Sequence, residues 1–202
     1  MSISQPPVDG WISDATALRY FALADRTDLL VATAGGKLAV PRQVLDPSED
    51  PNGPEEFLSE IGHSARYFSK RPRRKDPSAM RRYSLLASLR SRVDLEVVDL
   101  GPQEQVAYAT LMSRHFSREM GLRGTLASGE AAVIAWAERR DCVAVIDEAD
   151  GRKVLALRAP KVTIATMLDV LKRAVEVSLI SEDDARPLYE SMREEHYRGP
   201  DW

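Results

Sequence analysis

The residues best suited to chemistry in this sequence are acidic, and they stand where apolar segments end. Asp14 follows the short segment VDGWIS (8–13), and Asp147 and Glu148 follow the apolar run CVAVI (142–146). Glu130 opens the helical stretch SGEAAVIAWAERR (128–140). Open α/β sheets bind ligands beyond the carboxyl ends of their strands, which is where an acid leaving a strand sits. Counting four and seven residues on from Glu130 reaches Ile134 and Ala137 on the apolar stripe, so its carboxylate leans towards the sheet end. Each acid also has a plainer role. Asp14 can cap a helix, Glu130 can answer a helix dipole, and Asp147–Glu148 can be an ordinary strand exit. Converging carboxylates repel one another unless a cation neutralises them, and their hard oxygens suit Mg²⁺ or Mn²⁺.

The elements that must position these acids alternate. Strand VDGWIS precedes a helix at about Ala15–Ala24 and further helical turns at Asp28–Ala34. Gly35–Gly36 breaks the helix before the strand KLAVP. Residues 46–54, DPSEDPNGP, are loop chemistry, with three prolines, one glycine and three acids. Helical stretches at Glu55–Ser69 and Ser78–Arg92 follow, then a strand at Leu95–Leu100 and a helix at Pro102–Met120. After the Glu130 helix and the CVAVID strand come a short helix at Gly151–Leu157, the strand KVTIA and an amphipathic helix at Thr166–Ser178. Ser181 caps a last helix, with Asp184 at its third position. Strands alternating with helices mean a mainly parallel sheet covered on both faces. The expected organisation is one domain over 1–202, carrying a basic helical insertion at about 50–93.

Composition narrows the classes. The chain has 202 residues, 44% hydrophobic and 29% charged, which suits one globular core. The start MSISQPPVDGW lacks the pattern of a signal peptide, and no run is long and apolar enough for a membrane span. A lone cysteine, Cys142, fits a reducing compartment, so a cytoplasmic location is expected. Net charge is −3, but residues 61–92 hold ten Lys or Arg against one acid, leaving −12 elsewhere. That segment reads either as a polyanion contact or as a solvated insertion that meets an acidic protein. His63, His115 and His196 have no ligand spacing, and the turn at 34–37 lacks the residues of a phosphate-binding loop.

Four segments taken together carry a resemblance. ISDATAL (12–18), VPRQV (40–44), GEAAVIAWA (129–137) and VIDEADGR (145–152) resemble the PIN-domain nucleases, in particular their bacterial VapC-like branch. The similarity spans roughly 10–46 and 120–195. It implies a three-layer α/β/α fold with a mainly parallel five-stranded sheet, and a cluster of acids binding Mg²⁺ or Mn²⁺. It also implies hydrolysis of RNA to 5′-phosphate and 3′-hydroxyl ends, in many members as the toxin paired with an antitoxin protein. By this resemblance Asp14, Glu130 and Asp147 are catalytic and, with Glu148, hold the metal. Thr16 and Arg152 match residues around the substrate, and Arg71, Arg73 and Arg74 are expected to hold the RNA backbone. The branch usually has a glutamate where this chain has Pro47, and Asp46, Glu49 or Asp150 are the candidates to replace it. That departure keeps open a second reading, a catalytically weak PIN-like domain that binds RNA or protein. The last helix offers a face for a homodimer or a lid.

Overall fold

The structure, a computed structural model, describes residues 9–50, 53–71, 76–195, 197 and 201–202. The basic residues Arg73 and Arg74 and the histidine His196 lie outside that set. Five strands form one sheet: β1 (Trp11–Ser13), β2 (Leu38–Pro41), β3 (Leu95–Val98), β4 (Val143–Val145) and β5 (Thr163–Ala165). Their spatial order is β3-β2-β1-β4-β5, and every neighbouring pair is parallel. Ile12 registers with Ala39 on one side and with Ala144 on the other.

The strands are short but apolar along their length because both faces are covered. Alternate residues go to opposite cores. Trp11, Leu38, Val40, Val143, Val145 and Ala165 enter one core with α1 (Ala15–Leu23), α2 (Thr27–Thr33), α9 (Met167–Glu176) and α10 (Glu182–Glu194). Ile12, Ala144 and Ile146 enter the other, which is filled by α5 (Pro102–Leu111), α6 (Arg114–Glu119), α7 (Ser128–Ala137) and α8 (Ala149–Arg158). The result is the expected α/β/α arrangement of three layers, with all five strands parallel.

Helix boundaries depart from the sequence reading at four places, two of them where a serine hydroxyl supplies a cap. The single helix expected over Pro102–Met120 breaks at Ser113, whose hydroxyl accepts from the Phe116 amide at 3.1 Å and starts α6. The stretch expected at Glu55–Ser69 is a 3₁₀ turn at Glu55–Phe57, then α3 (Glu60–Ser69) capped by Ser59. Ser78–Arg92 becomes α4 (Ala79–Ser88) and a 3₁₀ turn at Leu89–Ser91. The helix expected at Gly151–Leu157 begins earlier, at Ala149.

A buried ion pair secures the α3–α4 hairpin. Glu49, its side chain 2% exposed, accepts from Arg90 and takes the Ser59 amide at 2.6 Å. Gly62 makes room for it, because a Cβ there would lie 2.2 Å from the Glu49 carboxylate. Removing one member of a buried pair strands the other charge. Glu49→Ala is therefore expected to lower stability by about 3 kcal/mol, read as a lower urea midpoint at unchanged slope.

Candidate functional site

Parallel topology locates the site before any side chain is considered. The chain moves from β1 outward to β2 and β3, then returns to place β4 on the other side of β1. The carboxyl ends of β1 and β4 thus flank the point where strand order reverses, where α/β sheets open a crevice. Asp14 leaves β1 there and Asp147 leaves β4 one residue beyond Ile146. The Asp14 amide donates to the Val145 carbonyl at 3.1 Å, which ties the two strand exits together.

Asp14 does what both of its sequence readings asked. Its Oδ1 accepts from the Ala17 amide at 3.0 Å, capping α1, while Oδ2 faces the Asp147 amide at 3.4 Å. It is 2% exposed. Burial raises its pKa well above the ordinary carboxylate value, and the neighbouring charges of Asp147 and Glu130 raise it further against the backbone amide of Ala17. Asp147 Oδ1 accepts from the Met167 amide at 3.0 Å and from the hydroxyl of Tyr197. Its pKa is pushed up to about 6, chiefly by burial, although the Tyr197 and Met167 hydrogen bonds and Arg152 pull the other way. Arg152 donates to the Asp147 carbonyl, so one cation does stand beside the acids.

Glu130 approaches from α7. That helix is buried on every side from Gly129 to Ala137, because it runs through the middle of its layer. Glu130 Oε2 accepts from the Ala127 amide at 3.2 Å, closing the start of its own helix. Its carboxylate also presses on Gly151 of α8, where a Cβ would sit 2.3 Å from Oε1. Burial lifts its pKa to about 7, with Glu148, Glu60 and Asp150 adding to the rise and the Ala127 amide opposing it. Glu130 Oε1 and Asp147 Oδ2 are buried oxygens without a hydrogen-bond partner among the described residues. Such acceptors are costly unless something satisfies them.

The remaining candidates lie further out. Glu148 is exposed at the start of α8 and acts on Glu130 and Asp147 through its charge. Thr16 is half-buried in the first turn of α1. Arg71 stands exposed just past the end of α3, paired with Asp76 at 3.3 Å and bonded to the Tyr67 hydroxyl. Of the proposed replacements for the acid at Pro47, Asp150 shares a pocket with Glu130 and Glu148 and adds its charge to the rise of Glu130, while Asp46 and Glu49 are taken up by arginines. Asp46 is engaged with Arg42 and Ser48, Glu49 with Arg90, and Asp150 with the Arg123 amide at 3.0 Å.

A residue outside the sequence candidates also acts on Glu130 through its charge. Glu60 Oε1 accepts from the Ser128 hydroxyl at 3.0 Å and the Gly129 amide at 2.7 Å, at the very start of α7. The chain brings it there by looping out after Leu45 and returning: the Glu60 and Ile61 amides donate to the Gln43 and Val44 carbonyls, each at 3.0 Å. Glu60 thus follows Val44 in space while lying sixteen residues on in sequence. The one local signal was its place directly after the helix cap Ser59. Tyr197 was also missed, and it had no local signal at all.

Donor chemistry fits a divalent cation: every candidate ligand is a carboxylate, and two of their buried oxygens lack a partner. Among the described residues, however, no three acidic, histidine or cysteine side chains stand close enough together to hold a metal as they are. Comparison with known proteins adds the family. A family model described as a PIN domain matches residues 92–201. A crystal structure of VapBC2 from Rickettsia felis bound to a DNA fragment from its promoter aligns with a TM-score of 0.44 and 14% identity, covering 77% of this chain and 97% of that one. No curated protein matches the chain. No helix among the described residues is long and apolar enough to cross a membrane.

The raised acids make the metal-free protein sensitive to pH in a definite direction. A carboxyl whose pKa is higher folded than unfolded stabilises the fold while protonated and loses that contribution as pH rises through the folded value. For Glu130 the window runs from about 4.5 to about 7. Glu130→Gln is expected to raise the metal-free stability at pH 8 by on the order of 1–3 kcal/mol, seen as a higher melting temperature, and to flatten its decline across that window. Melting by circular dichroism at pH 4.5, 6 and 8 reads both effects.

Proposed function

This chain belongs to the PIN-domain family, and from that premise we propose that it is a divalent-metal-dependent endoribonuclease. The observation that carries the reading is that Asp14 and Asp147 leave adjacent strands at the β1/β4 crevice, with Glu130 near enough for its charge to act on Asp14, all three carboxyls raised in pKa, and buried oxygens of Glu130 and Asp147 without a partner among the described residues. Asp14, Glu130 and Asp147 would hold Mg²⁺ or Mn²⁺, with Glu148 at the rim. Glu60 takes the part of the acid missing at Pro47. A bound ion of this kind activates water and stabilises charge on the phosphoryl oxygens during in-line attack. The protein's own share is positional. Asp14 is fixed by the α1 cap, Asp147 by the Met167 amide, and Glu130 by its own helix start. Thr16 and Arg152 border the crevice as substrate contacts, and the basic stretch of residues 61–92 holds RNA backbone in a salt-dependent way.

The chain is proposed to act as one domain over 1–202, with the segment at about 50–93 as its basic insertion. The motifs it shares with the VapC-like branch extend the proposal to a cytoplasmic toxin neutralised by an antitoxin protein, with α10 as a face for a homodimer. A second reading, a catalytically weak module that binds RNA or protein, is favoured by one specific contact. The Tyr197 hydroxyl occupies Asp147 Oδ1, an oxygen that a metal would otherwise use.

One assay separates the two. With Mn²⁺, the wild-type protein is expected to cleave structured RNA, while Asp14→Asn and Glu130→Gln lose at least about a hundredfold in rate, as loss of a group central to metal-assisted chemistry does. Glu60→Gln is expected to lose activity with them. Equal cleavage by wild type and mutants would mark contamination and remove the nuclease reading. For the toxin role, expression of the wild type alone arrests growth and expression of Asp14→Asn does not.

A further inference from the structure

A cleft of about 560 Å³ lies between α1, α3, α4 and the end of α10. Its walls carry three aromatic rings, each with a guanidinium laid against it. Arg19 stands 5.0 Å from the Tyr20 ring, Arg71 4.4 Å from Tyr67, and Arg82 5.5 Å from Phe68. Tyr67 and Phe68 meet edge to face at 5.4 Å, yet Tyr67 remains 55% exposed. Planar cations alternating with rings form a stacking surface that is tolerant of sequence, because every nucleobase has a π face.

The cleft is joined to the acidic crevice through one residue. The Tyr20 ring lies edge-on to Tyr197 at 5.4 Å, and the Tyr197 hydroxyl reaches Asp147. Tyr20 therefore forms a wall of the cleft and backs onto the ring that touches the acids.

The charges favour a base over a phosphate as the occupant. Arg82 is already shared between Asp76 at 3.4 Å and Glu195, and Arg71 is paired with Asp76. Glu194 and Glu195 also line the cleft. A phosphate would face these carboxylates, whereas a neutral base can stack on the rings and offer them its N–H groups.

We propose that this cleft is a nucleobase pocket for single-stranded RNA, stacking a base flanking the phosphate held at the acids. The proposal rests on the ribonuclease reading for its ligand class, and its test is kept independent of cleavage. Binding of a short fluorescein-labelled single-stranded RNA is followed by anisotropy in EDTA, so that no metal chemistry enters. Tyr67→Ala is expected to weaken binding about tenfold, in the range found for losing one base–aromatic stack, with an unchanged salt slope. Tyr67→Phe keeps the ring and is expected to bind like the wild type.

A second set of oligonucleotides, each with one abasic position, locates the pocket. The wild type is expected to lose affinity at one position, and Tyr67→Ala to lose that sensitivity. Affinity that is unchanged in Tyr67→Ala, or equal for all abasic positions, overturns the proposal, as does a protein that binds no single-stranded RNA. If base dependence is present but Asp14-dependent cleavage is absent, the pocket stands and the nuclease reading falls. If cleavage depends on Asp14 and binding ignores the bases, the pocket alone falls.

Discussion

Carboxylate repulsion inside the sheet end is the constraint around which the rest of this molecule is arranged. Asp14 and Asp147 are brought side by side by the pairing of β1 with β4, and Glu130 is driven in by a helix buried on all sides. Burial alone raises all three pKa values, and their mutual charge adds to it for Asp14. A fold that gains nothing from these acids would replace them, since buried charge without a partner costs several kcal/mol. Backbone amides answer part of the cost at Ala17, Met167 and Ala127. They leave one oxygen of Glu130 and one of Asp147 unanswered, and that remainder is what a divalent ion can satisfy.

Glu60 shows how the same constraint reaches into the part of the chain least like the rest of the family motifs. The loop after Leu45 leaves the body of the protein and the chain rejoins it on the carbonyls of Gln43 and Val44. The returning helix α3 delivers a carboxylate to the start of α7, where backbone amides point outward and favour an anion. The ion pair of Glu49 with Arg90 then holds the hairpin that α3 and α4 form. One excursion therefore brings an acid to the start of α7 and supplies Tyr67, Phe68, Arg71 and Arg82 to the cleft.

What could be read from the sequence was local. The strands were visible as apolar runs because both of their faces are covered, and parallel pairing followed from the alternation with helices. Asp14 and Asp147 were visible because acids that end strands in such a fold collect on one edge. Glu130 was visible from the helical stripe beneath it. The break at Ser113 was not, since the residues around it suit a helix and only the hydroxyl cap marks the division. Glu60 and Tyr197 were hidden for a stronger reason. Glu60 reaches its place through backbone pairing across a proline-rich loop, and Tyr197 meets Asp147 from fifty residues away. Neither relation leaves a spacing that periodicity can detect.

The central claim is that the buried acids form a site completed by a divalent cation. Thermal melting with and without Mn²⁺, at pH 8 and at pH 5, tests it most directly, because a ligand that binds only the folded state raises its melting temperature. At pH 8 Glu130 and Asp147 are above their values of about 7 and about 6, and the ion should raise the melting temperature by several degrees. At pH 5 protons compete for Glu130 and Asp147, and the rise should largely vanish. A melting temperature that ignores Mn²⁺ at pH 8, or responds equally at both pH values, would contradict the account.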